Sequence, residues 1–263
     1  MRVPIITYHA IGDMPSPLWT PIETFDAHLS AFAKCGYRTI TLTKLLTHLN
    51  LQEPLPENSI VITFDDGYES VYQHARSLLK HYGFTATIFL ISDYCGRTNQ
   101  WSGQPSSVPV ETLLSWEQAR ELAAEGYEFG AHTRSHLSLP TVLLEVAESE
   151  MHISQQQIQN HIGQKVNVFA YPYGATNAAI TKLAQQHFDG AVITDLGFVH
   201  SETNPYMLNR IDAYYLSPLW ISHMHGSLFQ QYLYLRQMLR SFRRNFHPDW
   251  LLLPSHSRNI HLE

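Results

Sequence analysis

Residues 60–70 read IVITFDDGYES: five apolar or β-prone residues run directly into two adjacent carboxylates and a glycine. A strand with no polar alternation is buried on both faces, as in a parallel sheet covered by helices. Two neighbouring carboxylates each raise the cost of ionising the other. The pair is therefore either a solvated turn or the place where a cation belongs.

The same arrangement recurs on both sides of this stretch. TPIE at residues 20–23 reads as a capping box with Pro21 in the first helical position, opening a helix that stops near Gly36, and residues 37–40 follow as a strand. A helix over residues 69–82 closes at Gly83 before FTATIFLI, and SWEQ at residues 115–118 caps a helix closing at Gly126 before YEFG. A long polar helix over residues 143–161, Gly163, the strand VNVFA, a helix over residues 177–187 and the strand AVIT complete the series. About seven such units predict an α/β chain closed into a (β/α) barrel, with an open doubly wound sheet as the alternative. In either, reactive groups gather at the carboxyl ends of the strands.

Composition narrows the function classes. The 263 residues suit one barrel-sized domain, and a net charge of −6 from 17 basic and 23 acidic residues speaks against nucleic acid as a partner. Cys35 and Cys95 have no CxxC spacing, as expected of a reduced, cytoplasmic chain. MRVPIITYHA enters a strand at once, without a leader pattern, and no window is long and apolar enough to span a membrane.

Three motifs follow three of the predicted strands: Asp65 and Asp66 after IVITF, His132 and His136 in GAHTRSH after YEFG, and Tyr171 to Gly174 (YPYG) after VNVFA. Singly each is weak; with 16 histidines, about one pair spaced i,i+4 arises by chance. A parallel barrel brings all three strand ends together. Two imidazoles and one carboxylate then form an open three-ligand set for Zn²⁺ or a similar divalent ion such as Co²⁺, Ni²⁺ or Mn²⁺. One aspartate binds the cation while its neighbour takes a proton from the attacking water, which makes the expected reaction metal-assisted hydrolysis. A zinc-protease reading fits worse, because Thr133 stands where HExxH needs its glutamate.

TFDDG (residues 63–67), HTRSH (132–136) and FAYPYG (169–174), together with ITYHAIGD near the amino terminus, resemble the NodB-type polysaccharide deacetylases, carbohydrate esterase family 4, over residues 1–212. The FAYPYG variant resembles a branch acting on bacterial exopolysaccharide. The resemblance implies a distorted (β/α) barrel and hydrolysis of N-acetyl groups on a saccharide. It implies Asp65 as general base, Asp66, His132 and His136 as metal ligands, and a Tyr173 backbone N–H directed at the oxyanion. Pro172 and Tyr173 are expected to line the substrate site, with Trp101 on the long loop at residues 96–109 stacking on a sugar; Trp116, Trp220 and Trp250 read as packing residues.

Two departures stand out. Ala170 occupies the place of the family's RxPY arginine, and Arg210 in MLNRID is the candidate replacement, against an ordinary structural salt bridge. No late Leu-x-His motif supplies a general acid, leaving His200, His223, His225 and His256 as candidates. Tyr8 and His9 are expected to line one barrel face, His9 as a hydrogen-bonded structural histidine. Residues 213–263 read as a C-terminal helical extension in which Arg236, Arg240, Arg243 and Arg244 form a solvated face; the minority reading is contact with a membrane or a glycan-synthesis enzyme. The rival functions are hydrolysis of a non-sugar amide or an O-acetyl ester at the same site, and glycan binding without turnover.

Overall fold

A computed structural model describes residues 2–51 and 53–246. Seven parallel strands close into a barrel: β1 (Ile5–Tyr8), β2 (Ser59–Phe64), β3 (Thr87–Leu90), β4 (Glu128–Ala131), β5 (Val168–Ala170), β6 (Gly190–Leu196) and β7 (Leu208–Asp212). Each pairs with the next in chain order, and β7 returns to β1 through Ile211 opposite Ile6 and Asp212 opposite Thr7. This closure decides for the barrel over the open sheet.

Period-two alternation sorts the strand side chains into two cores. Ile5, Val61, Phe89, Val168, Ala170, Val192 and Leu208 fill the barrel, while Ile6, Tyr8, Ile62, Phe64, Ile88, Phe129, Phe169 and Ile211 pack outward with the helices. The same alternation sends Asp65, two residues beyond Thr63, and Arg210, two beyond Leu208, to the inner face. Gly130 belongs to that face as well. A Cβ there would lie 2.4 Å from the Phe89 ring and 2.9 Å from Val168, so only glycine lets Phe89 fill the interior.

The helix punctuation is largely as expected. Ser115 and Gln118 form the capping box of the helix Trp116–Ala124, Asn177 caps Ala178–His187, and Gly83 and Gly163 close their helices in the left-handed conformation. The expected helix over residues 69–82 begins as a π-helical turn, Val71–Ala75, before Arg76–Tyr82. The TPIE box is a correction. Thr20 pairs as a strand with Ile11, so Pro21, which has no side-chain oxygen, becomes the N-cap of Ile22–Lys34 and no side chain caps that helix.

After β7 come the helices Pro218–Ser222 and Ser227–Phe246. Phe229 and Leu233 are buried, and the Arg236 guanidinium lies over the rings of Tyr215 (5.7 Å) and Tyr232 (5.3 Å) rather than projecting alone into solvent. The side chains of Arg243 and Arg244, and residues Trp250 and His256, lie outside the described residues. Among the described residues no helix is long and apolar enough to cross a membrane.

Candidate active site

The carboxyl ends of β2, β4, β5 and β7 bring the sequence motifs together. Asp65, Asp66, His132 and His136 are all buried. Asp66 Oδ1 lies 3.4 Å from His132 Nε2 and 3.4 Å from His136 Nε2, and the three ligand atoms fall within 4.8 Å of one another. The backbone adopts unusual conformations to achieve this. Asp66 (φ 68°), Thr133 (65°), His136 (62°) and Tyr173 (61°) are left-handed without being glycine. Such residues cost about 1–3 kcal/mol each and persist only where surrounding contacts hold them. Gly67 follows at φ 72°, and a Cβ there would lie 2.6 Å from Leu90 Cδ2.

Hydrogen bonds at the far nitrogens orient both imidazoles. His132 Nδ1 is 2.7 Å from the Ala170 carbonyl, which can only accept, so Nδ1 carries the proton and Nε2 keeps its lone pair toward Asp66. His136 Nδ1 is 3.1 Å from the Tyr173 hydroxyl. Asp66 Oδ1 is buried with no hydrogen-bond partner among the described residues. An orphaned carboxylate oxygen between two imidazole nitrogens whose other nitrogens are engaged fits a divalent cation.

Asp65 has a different environment. Arg210 is almost wholly buried inside the barrel and grips it at two points, Nη1 to Oδ1 and Nη2 to Oδ2, both at 2.7 Å. Arg210 Nε donates to the Ile193 carbonyl at 2.9 Å, where the β6–β7 register slips between Val192 and Leu196. This bulge releases a carbonyl from the ladder and turns it to the guanidinium. Arg210 therefore stands against the carboxylate that the absent motif arginine would face, while Ala170 uses its carbonyl to orient His132.

The electrostatics follow from these contacts. Burial alone would raise the Asp65 pKa, but Arg210, then His132 and His9, hold it below the ordinary carboxylate value. Asp66 is likewise held low against burial by its neighbours, His132 first and then His136 and His9. Burial lowers His136 to about 3, so it stands as a neutral imidazole; burial would lower His132 too, but Asp66 and Asp65 raise it. Two carboxylates here demand positive charge, supplied by a proton or by a cation.

Other expectations shift. Trp101 was expected to offer a stacking face, but it is 3% exposed, with its ring 4.6 Å from that of His136 and 5.9 Å from that of Tyr94. Pro172 is buried and Tyr173 half-buried in the short helix Pro172–Gly174. Tyr8 and His9 do not share a face. Tyr8 points outward to Phe25 and Phe64, and its hydroxyl meets His28 Nδ1 at 3.1 Å, so the hydrogen-bonded structural histidine is His28. His9 instead follows Ile5 and Thr7 on the inner alternation and acts electrostatically on Asp65, Asp66 and His136. Beside it opens a cavity of about 160 Å³ lined also by Trp19, Thr24, Asp212 and Tyr214. His200 and His225 sit with Arg2 at the amino end of the barrel, and His223 bonds to Leu219 and Ser222 on an exposed helix end.

A sequence profile described as polysaccharide deacetylase matches residues 52–188. YxkH of Bacillus subtilis (strain 168), a protein named for the same family, is 31% identical over 233 residues, covering 88% of this chain and 76% of that protein. This chain belongs to the polysaccharide deacetylase family. The NodB-type resemblance read from the motifs is thus upheld. The poly-beta-1,6-N-acetyl-D-glucosamine N-deacetylase of Staphylococcus aureus (strain MRSA252) is 24% identical over 162 residues, 58% of this chain and 53% of that relative. Among solved structures, the Streptococcus pyogenes deacetylase PplD in complex with acetate superposes with a TM-score of 0.73 at 27% identity, covering 83% of this chain and 96% of that one.

Proposed function

We propose that this family member removes acetyl groups from N-acetylhexosamine units of a saccharide, releasing acetate and a free amine. The observation that carries the reading is the division of labour between adjacent carboxylates: Asp65 locked to Arg210, Asp66 left facing His132 and His136. A divalent ion held by Asp66, His132 and His136, with Zn²⁺ the first choice, would polarise the acetyl carbonyl and acidify water when bound.

The remaining steps belong to the chain. Asp65, kept ionised and fixed in orientation by Arg210, takes a proton as a water oxygen adds to the acetyl carbon. The Tyr173 backbone N–H serves the oxyanion, its turn anchored by the hydroxyl contact to His136. His9 faces the same carboxylates from the end of β1 and delivers a proton to the nitrogen as the C–N bond breaks. The adjoining cavity, with Trp19 and Tyr214 beside Asp212 and Thr24, offers apolar and polar surface to a sugar ring.

Acetate release from N-acetylglucosamine oligomers, an O-acetylated sugar and a small non-sugar N-acetyl amide tests the reading. The N-acetylated oligomers should be turned over fastest, and rates should collapse with chelator and return with Zn²⁺ or Co²⁺. Preference for the ester or the non-sugar amide would replace the substrate assignment. Binding of oligomers without acetate release would replace catalysis by recognition.

A further inference from the structure

The helix Leu144–Ile162 turns three polar side chains inward at the spacing i, i+4, i+7: Glu150, 6% exposed, then Ser154 and Gln157. All three hold the turn that carries His132 and His136. Glu150 Oε2 accepts the backbone N–H of Arg134 at 3.0 Å and of Ser135 at 2.9 Å, and its Oε1 accepts the Ser135 hydroxyl at 3.0 Å. Ser154 Oγ donates to the Thr133 carbonyl at 3.0 Å. Gln157 Nε2 donates to Asp93 Oδ1 at 3.0 Å, and Asp93 Oδ2 pairs with Arg134 Nη2 at 2.8 Å.

From this geometry we infer that Glu150 is a positioning residue for the metal centre: its carboxylate fixes the left-handed turn between His132 and His136 and thereby sets the affinity of the site for a divalent ion. The inference rests on the reading of Asp66, His132 and His136 as ligands. Its physical basis is the strain in the turn. Thr133 and His136 both hold positive φ, which withdraws the N–H groups of Arg134 and Ser135 from any helix or strand ladder. A buried donor left without a partner is costly, and an anionic acceptor makes the stronger bond. Glu150 collects three such donors on one carboxylate. Without it the turn relaxes toward ordinary backbone conformations, and the first consequence is displacement of the His136 ring relative to Asp66.

Glu128 supplies a matched control. It accepts Leu42 N at 2.8 Å, Thr43 N at 3.1 Å and the Thr87 hydroxyl at 2.6 Å, the same chemistry at the amino end of β4, away from the ligands. The experiment measures Zn²⁺ affinity by competition with a chromophoric chelator, the visible absorption spectrum of the Co²⁺-loaded protein, and the melting temperature of the metal-free protein. Glu150→Ala is expected to weaken Zn²⁺ binding by about 10–100-fold and alter the Co²⁺ spectrum. Glu150→Gln, which keeps one oxygen for the two N–H groups, should recover part of both. Glu128→Ala should lower the melting temperature and leave affinity and spectrum unchanged. A folded Glu150→Ala protein with parental affinity and spectrum overturns the inference, as does an equal loss of affinity in Glu128→Ala. If Glu150→Ala does not fold, parental values in Glu150→Gln overturn it. A parent protein that binds neither Zn²⁺ nor Co²⁺ overturns the ligand reading itself, and this inference with it.

Discussion

Replacing Asp65 with Asn is expected to slow acetate release by about 10²–10⁴-fold, the usual effect of losing a general base, while metal content stays at the parental level. Asparagine keeps the shape and one accepting oxygen for Arg210 but cannot take a proton. Asp66→Asn should behave differently, because Asp66 Oδ1 is the oxygen between the two imidazoles. Its first loss should be metal affinity, with activity partly restored by excess metal. Rates and metal content measured on both variants separate the roles, and exchanged phenotypes would mean that Asp66 is the base. His9→Asn belongs in the same series. It should lose rate without losing metal, and a parental rate would remove His9 from the proton transfer.

Arg210→Met is expected to shift the acidic limb of the pH–rate profile upward. In the parent, burial raises the Asp65 pKa, and Arg210, with His132 and His9, more than reverses it. Methionine keeps much of the side-chain volume but no charge, so burial loses its main counterweight and the base is protonated at higher pH. The stability linkage has a definite sign. A carboxyl whose folded pKa is depressed stabilises the fold above its unfolded pKa of about 4, and that contribution is lost as pH falls through the lower folded value. Arg210→Met removes it and strands a buried carboxylate, at a cost of about 3–5 kcal/mol. Protonating that stranded carboxyl relieves the cost, so lowering the pH from neutral to about 4 should destabilise the variant less than the parent in denaturant melts. If activity fell only in step with stability, with the acidic limb unmoved, Arg210 would be a structural residue alone.

Much of this was legible because barrel strands alternate and their carboxyl ends converge. The run IVITF with its two aspartates placed Asp65 and Asp66, and the GAHTRSH and YPYG stretches fell at neighbouring strand ends. Arg210 could be singled out because Ala170 stands where the family's motif arginine is expected, and MLNRID offers a basic residue within a strand-like run. The rest depended on contacts between distant segments. Alternation assigns Tyr8 and His9 to opposite faces, a step the motif alone does not force. TPIE carries a capping-box signature, yet pairing of Thr20 with Ile11 makes that residue part of a strand. Trp101 read as a rim residue because its loop is polar, but Asn99 ties that loop down through Tyr68, Pro109 and Glu111, and the indole is drawn against His136. The helix bearing Glu150 looks solvated in sequence. Its polar stripe faces inward to meet groups that distant segments supply: backbone N–H groups for Glu150, the Thr133 carbonyl for Ser154 and the Asp93 carboxylate for Gln157.

The most direct measurement is the metal content of the purified protein, determined beside that of its His132→Ala and His136→Ala variants after dialysis against the same metal-buffered solution. Affinity for a site of three ligands falls steeply when one is removed. The parent should hold one divalent ion per chain, and each variant should retain almost none while still melting cooperatively. Parental metal content in either folded variant would contradict the assignment of these histidines and the metal-dependent hydrolysis built on them.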